Sequence, residues 1–283
     1  MNDRVPMLRK ERLVSNFPKR PRDSHKGLFG TVAVIGGANG MIGAPLLAAR
    51  AALKLGAGCV HVGLLAENAP GVDLVQPELM LHDAKSALQL PGVDVFTAGC
   101  GMGTSIAAQK LLYELLPRNT ALVLDADALN LIAKHADLQD DLRSRTSPCV
   151  LTPHPGEAAR LLACTAHEIQ SDRIAAAREL SRRFACGAVL KGADSVCVTR
   201  GGRLFVNKTG NAGMSSAGMG DVLSGMIAAF IAQGMTADDA LLLAVHLHGA
   251  AGDALAEQGI TIGMTASDVT EWARWLLNGW LKR

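Results

Sequence analysis

Aromatic residues are scarce: one Tyr, three Trp and six Phe among 283 residues. That leaves few platforms on which unpaired bases could stack. A charge imbalance is missing too. With 28 Lys and Arg against 26 Asp and Glu the net charge is +2, and the only basic cluster is local, at Lys19, Arg20, Arg22 and Lys26. Nucleic acid is therefore not an expected partner. There is no Cys-x-x-Cys pair; the six cysteines at 59, 100, 149, 164, 186 and 197 are scattered among mostly apolar neighbours. They read as buried reduced thiols of a cytosolic protein rather than zinc ligands or disulfide partners. Long hydrophobic runs are absent: Ala240 to His248 is too short and too interrupted to span a bilayer, and Met1 to Lys26 holds no apolar signal core. The expected location is the cytoplasm, with no membrane partner. No Pro/Ser-rich linker, long like-charge run or internal repeat divides the chain, so one domain is expected.

What is present is a large apolar fraction, 49%, with 30 glycines, enough for a sizeable core. From Thr31 onward, short β-branched runs alternate with longer runs of helical period, the pattern of an α/β fold with a central, mostly parallel sheet. Strands are expected at 31–36, 59–64, 93–98, 121–125, 149–152, 188–191 and 195–199. A further strand at 203–206 would close an antiparallel ribbon through Gly201-Gly202. Helices are expected at 44–56, 106–116, 128–134, 156–163 and 166–185, and in the last third at 222–234, 237–257 and 267–277.

In such sheets a ligand sits beyond the carboxyl ends of the strands. Glycine loops and polar residues collect there: Gly36 to Ala44, Gly99 to Gly103, Asp125-Ala126-Asp127, Thr152 to Glu157 and Lys191 to Ser195. The Gly36–Gly43 spacing is not G-x-G-x-x-G, and no suitably placed acidic residue follows, so a dinucleotide fingerprint is rejected. His154 stands between two prolines, which stiffen its backbone and present its imidazole; the competing reading is a turn before a helix, with Glu157 in the first turn. His154 and Glu157 also suit an outer-shell Mg2+ environment. Asp125 and Asp127 either orient substrate or metal-bound water, or cap the next helix. Lys191 either lies over a phosphate or is a solvated turn lysine. His246 and His248, two apart on a helix, read as packing residues.

Gly213 to Gly225 is the most informative stretch. It places Asp221 behind a flexible glycine turn at the mouth of an apolar helix, where loop N–H groups and a helix N-terminus face an anion together. Asp221 is then either a base that takes a proton from an attacking hydroxyl or a helix cap.

Together these segments resemble the ADP/ATP-dependent NAD(P)H-hydrate dehydratases of the ribokinase-like superfamily. The resemblance is carried by His25-Lys26-Gly27 with Gly30, Gly43-Ala44-Pro45, Gly99 to Gly103, Leu124 to Leu129, Leu151 to Glu157, Leu190-Lys191-Gly192 and Gly210 to Asp221. Ala212 and Ala217 depart from the proline and glycine common in the family, and neither change removes a functional side chain. The resemblance implies a ribokinase-like three-layer α/β/α fold in one domain over 1–283, with 1–24 as a polar N-terminal extension. It implies dehydration of the S-epimers of the 6-hydroxy hydrates NADHX and NADPHX to NADH and NADPH, with ADP as co-substrate, Mg2+ as cofactor, and AMP and phosphate released. On that pattern Asp221 is catalytic; Ala44, Gly101, Gly103, His154 and Asp221 bind the hydrate. Lys191, Gly192, Ala193, Asp194, Ser195, Gly218 and Gly220 bind the nucleotide, and Glu157 and Asp125 are candidates for outer-shell Mg2+ contacts with no direct metal ligand. A fused epimerase domain is expected to be absent, a separate epimerase to act as a transient partner, and the chain to form a homo-oligomer, as a tetramer. The alternative is an ATP-dependent hydroxyl kinase of the same superfamily, acting on a hydroxymethylpyrimidine or a thiazole alcohol.

Overall fold

A computed structural model describes residues 5–282. Its strands are β1 (Thr31–Gly36), β2 (Cys59–Leu64), β3 (Met80–Asp83), β4 (Val95–Ala98), β5 (Ala121–Leu124), β6 (Cys149–Leu151), β7 (Gly187–Leu190), β8 (Val196–Val198) and β9 (Leu204–Val206). They form one sheet in the order β3-β2-β1-β4-β5-β6-β7-β8-β9. From β3 to β7 all neighbours are parallel; β8 and β9 pair antiparallel, the ribbon expected from Gly201-Gly202.

The helices are α1 (Lys10–Leu13), α2 (Gly43–Lys54), α3 (Ala84–Leu88), α4 (Ile106–Leu115), α5 (Ala126–Lys134), α6 (Ala136–Ser144), α7 (Pro155–Leu162), α8 (Ala166–Ser171), α9 (Arg173–Phe184), α10 (Met219–Ala232), α11 (Ala237–Glu257) and α12 (Ala266–Leu281). Strand side chains alternate between faces, so each strand feeds two cores. Val32, Val34, Val60, Val62, Val95, Val123 and Val150 pack under α2, α10, α11 and α12. Ala33, Ile35, Phe96, Leu122, Leu124 and Leu151 pack under α3 to α9. Two helical layers on a sheet buried on both faces make the expected three-layer α/β/α arrangement.

Four local differences from the sequence reading have physical causes. β3 and α3 were not expected: β3 is a short edge strand carrying His82 and Asp83, without an apolar run to announce it. α6 was hidden by its polar sequence, ADLQDDLRS, of which only Leu138 and Leu142 are buried. The long helix over 166–185 is two, because Asp172 leaves helical geometry (φ −144°, ψ 81°) and accepts a hydrogen bond from Ala175 N at 2.9 Å, starting α9 afresh. α10 begins at Met219, three residues before the expected start.

At the far sheet edge, Leu8 N donates to Val206 O and Val206 N to Pro6 O, each at 3.0 Å, so the chain before α1 covers β9. Leu8, Leu13 and Val14 are buried. Of the extension expected over 1–24, residues 1–4 lie outside the described residues.

α10 crosses the sheet near β1, β4 and β5 and packs most closely on α2. The approach is backbone to backbone: a Cβ at Gly225 would run into the Ala48 carbonyl. Gly225→Ala should therefore cost about 1–3 kcal/mol through overpacking. Gly279→Ala, in α12 with nothing within 4 Å of the added Cβ, should instead stabilise by about 0.5–1 kcal/mol. Denaturant midpoints of the two variants measure both; a neutral Gly225→Ala would contradict the close approach.

Candidate functional site

β1 and β4 are neighbours whose chains leave in opposite directions, β1 toward β2 and β4 toward β5. The crevice of an open α/β sheet lies at such a switch point. Here the two loops are zipped together: Gly37 N donates to Cys100 O at 3.2 Å and Ala38 N to Gly101 O at 2.7 Å. Gly101 lies against Ala44, with 3.1 Å between its would-be Cβ and that of Ala44. Gly103 N donates to Asp127 Oδ2 at 2.8 Å.

α10 reaches this crevice with its N-terminus. Its N-cap is Gly218, in the left-handed region at φ +89°, so Asp221 is the third residue of the helix rather than its cap. Among the described residues no backbone N–H donates to the Asp221 carboxylate. The carboxylate is half-buried, with ligating atoms of Cys100 and Asp125 within 4.8 Å. Burial pushes its pKa up to about 6, and the Asp125 charge adds to the rise while the Cys100 thiol and Lys191 oppose it.

Asp125 is in a different state. It is buried, caps α5 through Ala126 N (2.9 Å), and accepts from Lys191 Nζ (2.7 Å) and Ser224 Oγ (2.9 Å). Burial alone would raise its pKa, but the Lys191 ammonium holds it below the usual carboxylate value. Burial likewise works against the Lys191 ammonium, and the charges of Asp125 and Glu157 overcome it, leaving its pKa raised. Lys191 Nζ is 4.0 Å from Glu157 Oε2.

His154 and Glu157 form a capping box on α7. His154 Nδ1 accepts from Gly156 N (2.9 Å) and Glu157 N (3.3 Å), and Glu157 Oε2 accepts from His154 N (2.7 Å). A ring nitrogen that accepts is unprotonated, so the imidazole is neutral with its proton on Nε2, 3.2 Å from Glu157 Oε1. Partial burial, then the charges of Lys191 and Arg160, keep the His154 pKa below its ordinary value. Burial raises that of Glu157.

A cleft of about 620 Å³ adjoins this cluster. Its walls are the 191–195 loop, the 207–212 segment after β9, and Met219, Gly220, Val245 and His248 from α10 and α11. The structure thus brings Lys191, Gly192, Ala193, Asp194, Ser195 and Gly220 to one cavity. Gly218 lies just outside its wall. Ala44, Gly101, Gly103 and Asp221 sit on the other side of the α10 N-terminus, and the His154 ring, 49% exposed, stands apart above Glu157. Position 220 is tight: a Cβ there would lie 3.1 Å from Lys191 Nζ and 3.4 Å from Asp125 Oδ2, so any side chain would press on the lysine ammonium.

Several contributors escaped the sequence reading. Ser224 and Cys100 lie inside stretches the sequence singled out, but neither was given a role. The 207–210 segment was legible in principle: two reversals make β9 parallel to β7, so its carboxyl end opens on the same rim. His248 is more than a packing residue, since it walls the cleft; burial lowers its pKa to about 4, so it is neutral there. His246 points elsewhere, as expected of an i, i+2 pair, with Nδ1 3.2 Å from Asn207 Oδ1.

Comparison with known proteins agrees with this geometry. A family model described as NAD(P)H-hydrate dehydratase matches residues 32–274. The ADP-dependent (S)-NAD(P)H-hydrate dehydratase of Neisseria meningitidis serogroup B is 42% identical over 266 residues, covering 93% of this chain and 90% of that protein. The bifunctional NAD(P)H-hydrate repair enzyme of Coxiella burnetii is 40% identical over 266 residues, covering 93% of this chain; the chain spans 53% of that longer protein. Among solved structures, the ADP/ATP-dependent NAD(P)H-hydrate dehydratase of Bacillus subtilis, co-crystallised with ATP and Mg2+, superposes with a TM-score of 0.86 at 28% identity, covering 98% of this chain and 99% of that one. With the ribokinase-like fold shared and the match running through nearly every rim loop, the chain belongs to the NAD(P)H-hydrate dehydratase family.

Proposed function

We propose that the protein dehydrates the S-epimers of the NADH and NADPH hydrates, using ADP and releasing AMP and phosphate. One observation carries the reading: Asp221, a half-buried carboxylate without a backbone partner and with its pKa pushed up to about 6, stands at a helix N-terminus beside a cleft of nucleotide size. Water added across the dihydropyridine leaves a hydroxyl, and hydroxide is a poor leaving group. Asp221 takes the proton of that hydroxyl as its oxygen attacks the terminal phosphoryl group of ADP. The ring nitrogen's lone pair then expels phosphate, and loss of the C5 proton restores the dihydropyridine. The 218–220 backbone N–H groups and the α10 N-terminus face the transferred group. Lys191 holds its charge beside them; Asp125 takes one of its three donors, leaving others for phosphate.

The carboxylates do not form a direct Mg2+ site. Asp125 is taken by Lys191, Ser224 and Ala126, and Glu157 by His154. The group of Cys100, Asp125 and Asp221 includes a thiol, a poor donor for a hard cation. Magnesium would enter on the nucleotide phosphates with water in its remaining positions, and no step here runs through it. The same reading takes the chain as one domain working in the cytoplasm as a homotetramer, with a separate epimerase supplying the S-epimer. No helix among the described residues is long and apolar enough to cross a membrane.

Purified protein mixed with either hydrate and ADP should restore dihydronicotinamide absorbance, with the rate falling about tenfold per pH unit below pH 6 as Asp221 protonates. No recovery with ADP or ATP, together with stable phosphorylation of a pyrimidine or thiazole alcohol, would replace this reading with the kinase one.

Asp221→Asn should abolish turnover and keep nucleotide affinity. It should also stabilise the fold. The folded pKa is raised, so the protonated form is favoured in the native state, and that stability is lost as pH rises from about 4 through about 6. At pH 8 the wild type bears the full penalty, and the asparagine variant should be more stable by about 1–2 kcal/mol, after allowing for partial exposure. The difference should vanish at pH 4. A variant less stable at pH 8 would restore the cap reading.

Lys191→Ala should weaken nucleotide binding about tenfold to a hundredfold by calorimetry. It should also cost about 3–5 kcal/mol of stability, because Asp125 is left buried without its counter-ion. Unchanged affinity in the folded fraction would refute the assignment.

A further inference from the structure

Cys149 opens β6, and Cys186 immediately precedes β7. The parallel register pairs Val150 with Gly187 and Leu151 with Ala188, which sets Cys149 directly opposite Cys186. Both side chains enter the same core cluster, and both thiols are free. Neighbouring strands lie about 4.8 Å apart, inside the roughly 4.4–6.8 Å between Cα atoms that a disulfide accepts. None of the other four cysteines has this arrangement among the described residues. Cys197, for example, is buried alone, and burial drives its thiol well above the ordinary value.

The surroundings make the two sulfurs unequal. Arg145 is buried, with guanidinium nitrogens donating to the carbonyls of Leu116, Arg118 and Thr120, while its Nε finds no partner. The neighbouring Cys186 thiol, followed by the charges of Arg145 and Arg200, holds the Cys149 pKa below the usual thiol value despite burial. The same contact drives Cys186 upward. Cys149 is thus the more readily ionised of the two sulfurs.

We propose that Cys149 and Cys186 form a redox-active dithiol, at the end of the sheet opposite the catalytic rim, which hydrogen peroxide closes to a disulfide. Cys149 and Cys186 are only 4% and 1% exposed as residues, which excludes bulky oxidants such as glutathione disulfide and leaves a small one. A cleft of about 310 Å³ walled by Arg145, Thr146 and Ser147 ends two residues before Cys149. Cys149 ionises, releasing its proton to solvent, and the thiolate attacks a peroxide oxygen; the O–O bond breaks, and the departing hydroxide takes up a proton from solvent, equivalent to the one Cys149 released, and leaves as water. Cys149 is then a sulfenic acid. The Cys186 sulfur attacks the Cys149 sulfur, the S–S bond forms, the S–O bond breaks, and the second water carries off the Cys186 proton. Two thiols are oxidised and one peroxide is reduced.

The folded full chain, treated with hydrogen peroxide, then denatured, alkylated with iodoacetamide and digested, should yield the Cys149 and Cys186 peptides joined by a disulfide that dithiothreitol reverses. Cys197 should be alkylated. In Cys186→Ser, dimedone should capture a sulfenic acid at Cys149; in Cys149→Ser, position 186 should remain a free thiol. Alkylation of Cys149 and Cys186 to the same extent as Cys197 in the peroxide-treated wild type would overturn the proposal, as would disulfides formed without preference for this pair.

Discussion

The rim is organised by one buried ion pair. Asp125 follows β5, Lys191 follows β7, and the bond between them passes over the end of the intervening β6. Desolvating two such charges costs several kcal/mol each, and attraction offsets this only when the remaining hydrogen-bonding capacity is met. On the carboxylate side it is met: Ala126 N and Ser224 Oγ serve the other lone pairs of Asp125, and Ser224 comes from α10, in the opposite helical layer. The pair therefore fixes two strand ends and one helix of the opposite layer relative to each other. It also divides the acidic groups. Asp125 keeps its charge, while Glu157 and Asp221, a few ångströms away and without a full partner, have raised pKa values. Environments that push neighbouring carboxylates apart in pKa are how one site holds an inert counter-ion and a working base together.

Asp221 has no local reason to be where it is. Burial penalises its charge, and Asp125 repels it; the Cys100 thiol, the Lys191 ammonium and the α10 N-terminus work in its favour. Its position comes from packing elsewhere. α10 is pressed against α2 at Gly225 and Ala48, and the residues that follow Asp221 on α10 are almost all buried. The core thus holds in place a carboxylate that would be more stable in water, the usual relation between a catalytic group and its scaffold.

How much of this was legible follows from the range of each interaction. β1, β2, β4 and β5 declare themselves by short β-branched runs, and α11 by an unbroken helical period, because burial on both faces or along one stripe is a local property of sequence. β3 and α6 are short and polar and leave no such trace. The start of α10 was misplaced because Gly218-Met219-Gly220 reads as loop by propensity, although the backbone there is already helical. The rim itself was legible as a set of loops after strands. Its pairings were not: Lys191 and Asp125 are 66 residues apart, and nothing in either segment says that the lysine faces a carboxylate before it faces a phosphate. His154 shows the same limit. Two flanking prolines announced a presented ring, yet one ring nitrogen is turned inward to cap α7.

The turn at 218–220 separates two half-sites. On one side Gly220 faces Lys191 and the 620 Å³ cleft. On the other, Gly218 lies against Leu47 of α2, one helical turn from Ala44, which in turn lies against Gly101. In-line phosphoryl transfer needs donor and acceptor oxygens on opposite sides of the transferred group, with the charge on its equatorial oxygens met from the flank. On the proposed assignment, a nucleotide enters from the β7–β9 side and a hydroxyl from the β1–β4 side, and the two meet that condition at the α10 N-terminus. There the backbone N–H groups are exposed because side chains are missing from positions 218 and 220. A side chain at either position would fill one half-site: at 220 it would crowd Lys191, and at 218 it would meet both Leu47 and the positive φ that disfavours any Cβ. The two glycines are therefore set by the geometry of transfer, and the residue after them is the first that can carry a functional side chain.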